Sequence, residues 1–153
     1  MATEPELAYL AGIIDGEGYI NVSGSGGNYR KKYRKIPHSP ILTITNSNSH
    51  LISWIRNRFG GHLYLKHSKR LPQESPCWDL TWSGKAVEQI LQQVHPYLVA
   101  KKEEATLIFA YRKLIGKPFE RVSEDNIAKR EAILEAMRIL RKNNKILSKE
   151  RIK

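Results

Sequence analysis

The sequence predicts an α+β domain in which pairs of antiparallel strands alternate with helices. Apolar residues recur at helical spacing in some segments and at every second position in others. Glycines, prolines and short polar runs separate these segments. With 153 residues, of which 41% are hydrophobic, the chain is long enough to form one domain with its own core.

The first helix is predicted over residues 3–14. Thr3 and Glu6 have the spacing of a capping box, in which each residue satisfies a backbone N–H at the start of the helix. Gly16 and Gly18 are expected to end the helix. The predicted apolar stripe consists of Leu7, Leu10, Ala11 and Ile14.

Alternation of apolar and polar residues predicts two strands after this helix, over residues 19–25 and 41–45, with a strongly basic segment between them. A second helix is predicted over residues 49–59. Two further strands follow, over residues 62–66 and 78–82. The strand residues expected to face the core are Ile20, Val22, Leu42, Ile44, Leu63, Leu65, Trp78, Leu80 and Trp82.

Three more helices are predicted over residues 85–94, 96–115 and 123–145, and the last one leads into a basic tail. We expect residues 1–118 to form the core domain. Residues 119–153 are expected to add a C-terminal helix and a basic tail that pack on the same domain.

The net charge of +11 favours a polyanionic partner. Nucleic acid is the first candidate, because each neutralised phosphate releases counterions; an anionic membrane surface and a merely soluble basic protein are the alternatives. No apolar run is as long as a membrane span, the N-terminus lacks a signal-peptide pattern, and the single cysteine, Cys77, fits a reducing compartment. We therefore expect an intracellular protein, in a prokaryotic cytoplasm or an organelle, that is not secreted and has no membrane partner.

The most informative segment is Leu-Ala-Gly-Ile-Ile-Asp-Gly-Glu-Gly at residues 10–18. The last turn of a helix exposes unpaired carbonyl groups and the negative end of the helix dipole. Gly16 offers a carbonyl with no side chain beside it, and Glu17 adds a carboxylate at the same point. These oxygen donors suit Mg²⁺, which binds through few protein ligands together with water and substrate phosphate.

Small residues on the first helix favour close contact with a second copy of the chain. Ala8 and Gly12 lie four residues apart and therefore share one helix face. In a twofold dimer built on this face, the two Glu17 carboxylates would lie side by side near the axis. Without further information, an acidic helix end that binds no metal is the simpler explanation of Gly16 and Glu17, and Asp15 is best explained as a structural hydrogen-bonding residue.

Residues 10–18 resemble the signature of the LAGLIDADG homing endonucleases, with Ile13 in place of Leu, Gly16 in place of Ala and Glu17 in place of the second Asp. In outline the resemblance extends over residues 5–115. It implies an αββαββα fold whose saddle-shaped antiparallel sheet lies on DNA, here with an extra C-terminal helix. Members of the family with a single motif are homodimers, and this chain has one motif.

The resemblance also implies an activity. It implies a homing endonuclease, encoded in an intron or alternatively in an intein, that hydrolyses both strands of a long, roughly palindromic DNA target and leaves short 3′ overhangs; intron homing is the expectation. The metal ligands would be Gly16 and Glu17, and the cofactor Mg²⁺, with Mn²⁺ or Ca²⁺ able to occupy the same site. Two alternatives on the same fold stay open: an RNA maturase that binds its own intron RNA, and a DNA-binding regulator without catalysis.

By the same resemblance, Asn46, His50 and Lys101 join Glu17 as catalytic residues. Asn46 falls at the end of the second strand, where relatives order water near the scissile phosphate. His50 falls at the start of the next helix, where relatives often carry arginine, and Lys101 follows a Pro-aromatic-Leu segment with Lys102 as the neighbouring candidate. A turn residue, a polar helix start and a solvated cation are the alternative explanations of these three positions.

The resemblance places the sheet in the major groove of DNA, where arginine suits guanine, asparagine suits adenine, and serine or threonine suits either. The residues expected on the DNA-facing side are Asn21, Ser23, Ser25, Arg30, Lys32, Arg34, Thr43, Lys66, Ser68, Arg70, Asp79 and Thr81. The residues expected at the dimer interface are Ala8, Ala11, Gly12 and Asp15.

Overall fold

The structure is a computed structural model, and it describes residues 1–23, 39–66, 76–116 and 122–150. Within these residues, two strands follow each of the first two helices, and three α-helices and a 3-10 helix follow the last strand. The elements are α1 (Glu4–Glu17), β1 (Gly18–Ser23), β2 (Ser39–Asn46), α2 (Ser49–Phe59), β3 (His62–Lys66), β4 (Cys77–Ser83), α3 (Lys85–Val94), a 3-10 helix (His95–Tyr97), α4 (Lys102–Lys113) and α5 (Glu124–Glu150). This order confirms the predicted α+β class.

The four strands form one antiparallel sheet in the order β1-β2-β4-β3. Directly opposed residues of antiparallel strands lie on the same face, so the register defines two faces. Thr43, for example, lies opposite both Tyr19 and Thr81. The face that we call the open face is exposed or half-buried and consists of Tyr19, Asn21, Ser39, Ile41, Thr43, Thr45, His62, Tyr64, Lys66, Cys77, Asp79, Thr81 and Ser83, together with the backbone position of Ser23.

The opposite face of the sheet is apolar and packs against the helices. Its central residues, among them Leu42, Ile44 and Leu80, are fully buried together with residues of α1, α2, α3 and α4. The predicted inward residues all lie on this face. Leu65 is nevertheless 41% exposed, because β3 is an edge strand of the sheet.

Helix α1 is longer than predicted, because it passes through Gly16 and ends at Glu17. Gly18 then begins β1 without any residue between helix and strand. A Cβ atom on Gly18 would lie 2.6 Å from the carbonyl oxygen of Ile14, which is closer than real Cβ atoms approach. The direct passage from α1 into β1 therefore requires glycine at this position.

The prediction of one helix over residues 96–115 is wrong. The chain forms a 3-10 turn, leaves helical structure at Leu98, and begins α4 at Lys102. The physical reason is a tertiary interaction, because the carboxylate of Asp15 accepts the backbone N–H groups of Val99 at 2.8 Å and Lys101 at 2.9 Å. Those N–H groups are thereby withdrawn from a continuous helix.

Helix α5 packs on α4 and joins its C-terminal end. The carbonyl oxygen of Leu114 accepts from Asn126 Nδ2 at 2.9 Å and from Arg130 Nη2 at 2.6 Å. A cation at the carbonyl end of a helix is favourable, because the helix dipole is negative there. Met137 is 1% exposed and anchors the middle of α5 in the core. Among the described residues, none of the helices is long and apolar enough to cross a membrane.

A salt bridge connects the first turn of α1 to the end of α2. Arg58 donates from Nε to Glu6 Oε1 at 2.7 Å and from Nη2 to Glu6 Oε2 at 2.8 Å. The backbone N–H of Thr3 also donates to Glu6, at 2.7 Å, as the capping-box spacing predicts. The hydrogen bonds from Arg58 and then from Thr3 lower the pKa of Glu6 from 4.5 to about 2.

This lowered pKa predicts a specific dependence of stability on pH. The unfolded chain binds the Glu6 proton more tightly than the folded protein does, so stability is lost as the pH falls from about 4.5 towards 2. Arg58→Met removes the main cause of the shift, and we expect a smaller loss of unfolding free energy over this window. Urea unfolding at successive pH values measures it. Arg56→Met, which removes an exposed charge from the same helix, should keep the wild-type slope. Identical slopes for Arg58→Met and wild type would contradict the assignment.

Candidate active site and nucleic-acid interface

The carbonyl end of α1 is open and carries a carboxylate. Glu17 is the last residue of this helix, and both Glu17 and Gly16 are exposed. A Cβ atom built on Gly16 would meet no other atom within 4 Å, so open space adjoins its backbone. The last turn of a helix leaves carbonyl groups without intrahelical partners. A carbonyl and a carboxylate are therefore available together at this helix end.

Asn46 lies beside Glu17, because β2 pairs with the strand that follows α1. Its Nδ2 donates a hydrogen bond to Glu17 Oε2, while its Oδ1 accepts from the backbone N–H of Asn48 at 2.7 Å. The two bonds fix the amide with its NH₂ group towards the carboxylate. Asn48 in turn caps α2 by accepting from the N–H of Leu51 at 3.0 Å.

Lys101 lies at the same end of α1. Its Nζ donates to the carbonyl oxygen of Asp15, and its backbone N–H donates to the Asp15 carboxylate at 2.9 Å. Lys102 is exposed in the first turn of α4, and only its carbonyl group has a hydrogen bond, from Thr106, within the described part of the chain. Of the two lysine candidates, the structure therefore brings Lys101 to the end of α1.

The structure does not bring His50 into this group. His50 is exposed in the first turn of α2, and across residues 1–23, 39–66, 76–116 and 122–150 no hydrogen bond joins its ring to Glu17, Asn46 or Lys101. Its catalytic role remains a prediction from the resemblance.

The donors at the end of α1 fit a magnesium ion that shares its coordination with substrate. Within the described residues, no three His, Cys, Asp or Glu side chains lie close enough together to hold a metal. Glu17 and the carbonyl of Gly16 supply two oxygen donors, and Mg²⁺ commonly binds proteins through one or two carboxylates together with water and phosphate.

One face of α1 carries small residues and is uncovered. Ala8 and Gly12 are exposed on it, and Tyr9 beside them is 55% exposed; their place at a dimer interface stays a prediction. The prediction of Ala11 as an interface residue is wrong, because Ala11 is fully buried in the core of its own chain. Asp15 is partly exposed, but its carboxylate already holds the residues before α4.

Hydrogen bonds between side chains organise the centre of the open face. The hydroxyl groups of Thr43 and Thr81 lie 3.0 Å apart, and Thr45 donates to Asp79 Oδ1 at 2.6 Å. Lys66 Nζ lies 4.0 Å from the same carboxylate, so the acidic group on this face is balanced by a cation. The ordered hydroxyl, carboxylate and ammonium groups can meet polar base edges in a groove.

The predicted DNA-facing residues divide between described and undescribed parts of the chain. Asn21, Thr43, Lys66, Asp79 and Thr81 share the open face. The candidates between β1 and β2 and the candidates between β3 and β4 lie outside the described residues. They are Ser25, Arg30, Lys32, Arg34, Ser68 and Arg70. The side chain of Ser23 also lies outside the described part of the chain.

Three residues on or beside this face were not among the residues predicted to face DNA. Tyr19 and Tyr64 belong to it and are 50% and 59% exposed. Their alternation with buried residues was the available signal. Arg141 also reaches this face, and its place in the middle of a long helix gives no such signal.

The comparisons with known proteins agree with this architecture. No protein-family model and no curated protein match the sequence. The homing endonuclease I-CvuI, solved in complex with its target, matches with a TM-score of 0.69 at 20% identity, over 89% of this chain and 82% of that one. The archaeal intron-encoded homing endonuclease I-Vdi141I, complexed with DNA, matches with a TM-score of 0.70 at 14% identity, over 90% and 84%. This chain has the LAGLIDADG homing-endonuclease fold.

Other solved proteins with the LAGLIDADG fold are matched over less than half of their length. The I-LtrWI LAGLIDADG homing endonuclease, bound to target DNA, matches with a TM-score of 0.65 at 19% identity, over 88% of this chain but 44% of that one. The resemblance of residues 10–18 to the family signature is thus accompanied by the fold that it implies.

The double role of the Asp15 carboxylate predicts the effect of Asp15→Asn. An asparagine offers one oxygen, so its NH₂ group would face one of the two N–H donors, of Val99 or Lys101. We expect a loss of about 1–3 kcal/mol of unfolding free energy and faster hydrogen exchange at these two amides. Chemical unfolding and exchange measured by NMR test this. Glu103→Gln, an exposed change in α4, should alter neither; unchanged exchange in Asp15→Asn would exclude the role.

Proposed function

We propose that this chain is a site-specific DNA endonuclease that acts as a homodimer and hydrolyses one phosphodiester bond in each strand with the help of Mg²⁺. The observation that carries the proposal is the group at the end of α1. There Glu17 is exposed, Asn46 donates to its carboxylate, and Lys101 binds the adjoining helix end. The open face of the sheet adjoins this group through β1 and β2.

The charge of the chain supports DNA as the partner. The net charge is +11, and a polyanion that neutralises part of it gains free energy by releasing counterions. Solved proteins with this fold point the same way. I-CvuI was solved with its target in the presence of Ca and with DNA in the presence of Mg, and I-Vdi141I was complexed with DNA.

Each residue at the end of α1 would have a different role in phosphodiester hydrolysis. When bound, Mg²⁺ would supply an acidified water and neutralise charge on the phosphate. Glu17 and the Gly16 carbonyl would hold the ion, and Asn46 keeps the Glu17 carboxylate in place. Lys101 donates one ammonium N–H to the carbonyl oxygen of Asp15, and its ammonium group has two further N–H donors. These could stabilise a phosphate oxygen, whose negative charge increases in the transition state.

The uncovered face of α1, which carries Ala8 and Gly12, supports the homodimer. The described part of one chain contains one such carboxylate group, and a pair of these groups could act on the two strands of a duplex together. Ala8 and Gly12 leave room for a second helix, and a twofold axis there would bring the two ends of α1 together. Exposed Tyr9 and Val99 add apolar area beside it. The match to less than half of I-LtrWI also fits a unit that works as one of a pair.

The first test is cleavage of a duplex made by rejoining the flanks of the intron that carries this reading frame. We expect a double-strand cut with Mg²⁺, none with EDTA, and a rate at least about a hundredfold lower in Glu17→Gln, because an amide holds the cation poorly. Binding of the duplex should persist in Glu17→Gln, because the sheet is unchanged. Glu103→Gln is the matched control and should cut at the wild-type rate. Binding without a cut in the wild type would refute the endonuclease and leave a binding protein.

The dimer is tested separately with Gly12→Arg. Open space around Gly12 and the higher helix propensity of arginine allow the chain to fold, whereas two arginines would block and repel at the proposed interface. We expect a monomer in sedimentation and loss of double-strand cutting. Ser53→Arg adds the same charge at an exposed position of α2 and should remain a dimer. A Gly12→Arg protein that sediments as a dimer would show that the interface lies elsewhere.

A further inference from the structure

Arg141 of α5 lies across the free edge of the sheet. Its Nη2 donates to the carbonyl oxygen of Ile20 in β1, which is an edge strand, and both of its Nη atoms lie 3.3 Å from Asn21 Oδ1. One guanidinium group therefore satisfies an edge carbonyl and a side chain of the open face together. The planar fork of arginine suits such double contacts.

These contacts determine the orientation of the Asn21 amide. Arginine has no hydrogen-bond acceptor, so the oxygen of Asn21 must point towards Arg141. The NH₂ group of Asn21 then points the other way, and it donates to the Tyr19 hydroxyl at 2.7 Å. The guanidinium carbon also lies 5.3 Å from the centre of the Tyr19 ring, within the range of a cation–π contact. One residue of α5 thus holds two residues of the open face.

Arg141 is itself held from the core side. Glu104 of α4 is 7% exposed, and its Oε1 lies 3.6 Å from Arg141 Nε. Burial raises the pKa of Glu104, and the charges of Arg141 and Lys101 oppose that rise. The guanidinium group is therefore fixed by contacts on α4 and β1 in addition to its own helix.

We propose that Arg141 is a positioning residue for DNA recognition, and that it sets the base preference at the base pair that Asn21 contacts in each half-site. The proposal rests on the proposed function. An asparagine amide offers a base either its N–H donors or its oxygen acceptor, so the base edge that it prefers depends on the orientation of the amide. Both Nη atoms of Arg141 donate to the Asn21 oxygen and the Tyr19 hydroxyl accepts one N–H, so Asn21 keeps one N–H donor for an acceptor on a base edge, and the amide is held in that orientation.

The test compares the duplexes that variants select from a randomised DNA library. Asn21→Ala identifies the base pair that Asn21 contacts, because the preference there is lost. Arg141→Met and Arg141→Lys should relax the preference by about fivefold or more at that same base pair, since neither side chain has the guanidinium fork. Arg138→Met is the matched control. It removes an equal charge from the same helix at a position paired only with Glu135 in the described chain, and it should keep the wild-type preferences.

The outcomes separate this proposal from the proposed function. A wild-type protein that selects no duplex would refute DNA recognition itself. A wild type that selects a site, with Arg141 variants whose preferences match those of Arg138→Met at every position, would overturn the role of Arg141 alone. Arg141→Lys keeps the charge opposite Glu104, so it carries the test if circular dichroism shows that Arg141→Met does not fold.

Discussion

Asp15 makes the contact on which the candidate site depends. Its carboxylate and backbone carbonyl bind the N–H groups of Val99 and Lys101 and the Lys101 ammonium, across 84 to 86 residues of sequence. An isolated aspartate in the last turn of a helix is unfavourable, because its charge adds to the negative end of the dipole. Two N–H donors and a lysine compensate for this. The compensation also ends the preceding helical segment, starts α4, and brings a cation to the end of α1.

Helix α1 has a core face, an exposed face of small residues and an exposed carbonyl end, and these three features compete for the surface of one helix. Leu10, Ala11 and Ile14 are fully buried and hold the helix in the core. Its opposite face keeps small exposed residues, and its carbonyl end keeps an exposed carboxylate. The surface of a helix can hold both a core face and an exposed face only if its apolar stripe is narrow. Few residues of α1 therefore make its core contacts, and the salt bridge between Glu6 and Arg58 additionally connects the helix to α2.

Local signals in the sequence predicted the elements, while contacts between distant segments determined what was missed. The bounds of the helix Ser49–Phe59 and the strand His62–Lys66 agree with the prediction, because periodicity and a following glycine define the one and alternation the other. The break before α4 arises from a partner in α1, and periodicity contains no information about it. Glu17 and Asn46 could be named from the motif and strand end, but their hydrogen bond depends on the pairing of β1 with β2. Arg141 was not predicted from the sequence for the same reason, because its partners lie in β1 and α4.

The residues proposed for catalysis and the residues proposed for DNA recognition lie next to each other in the fold. Glu17 ends α1, and the strand that begins at the next residue carries Tyr19 and Asn21 on the open face. The start of α4 contacts both regions. Lys101, just before α4, donates to the end of α1. Glu104, in the first turn of α4, contacts Arg141, which in turn binds β1. The residues around the start of α4 therefore support both the end of α1 and, through Arg141, the strand that carries Tyr19 and Asn21.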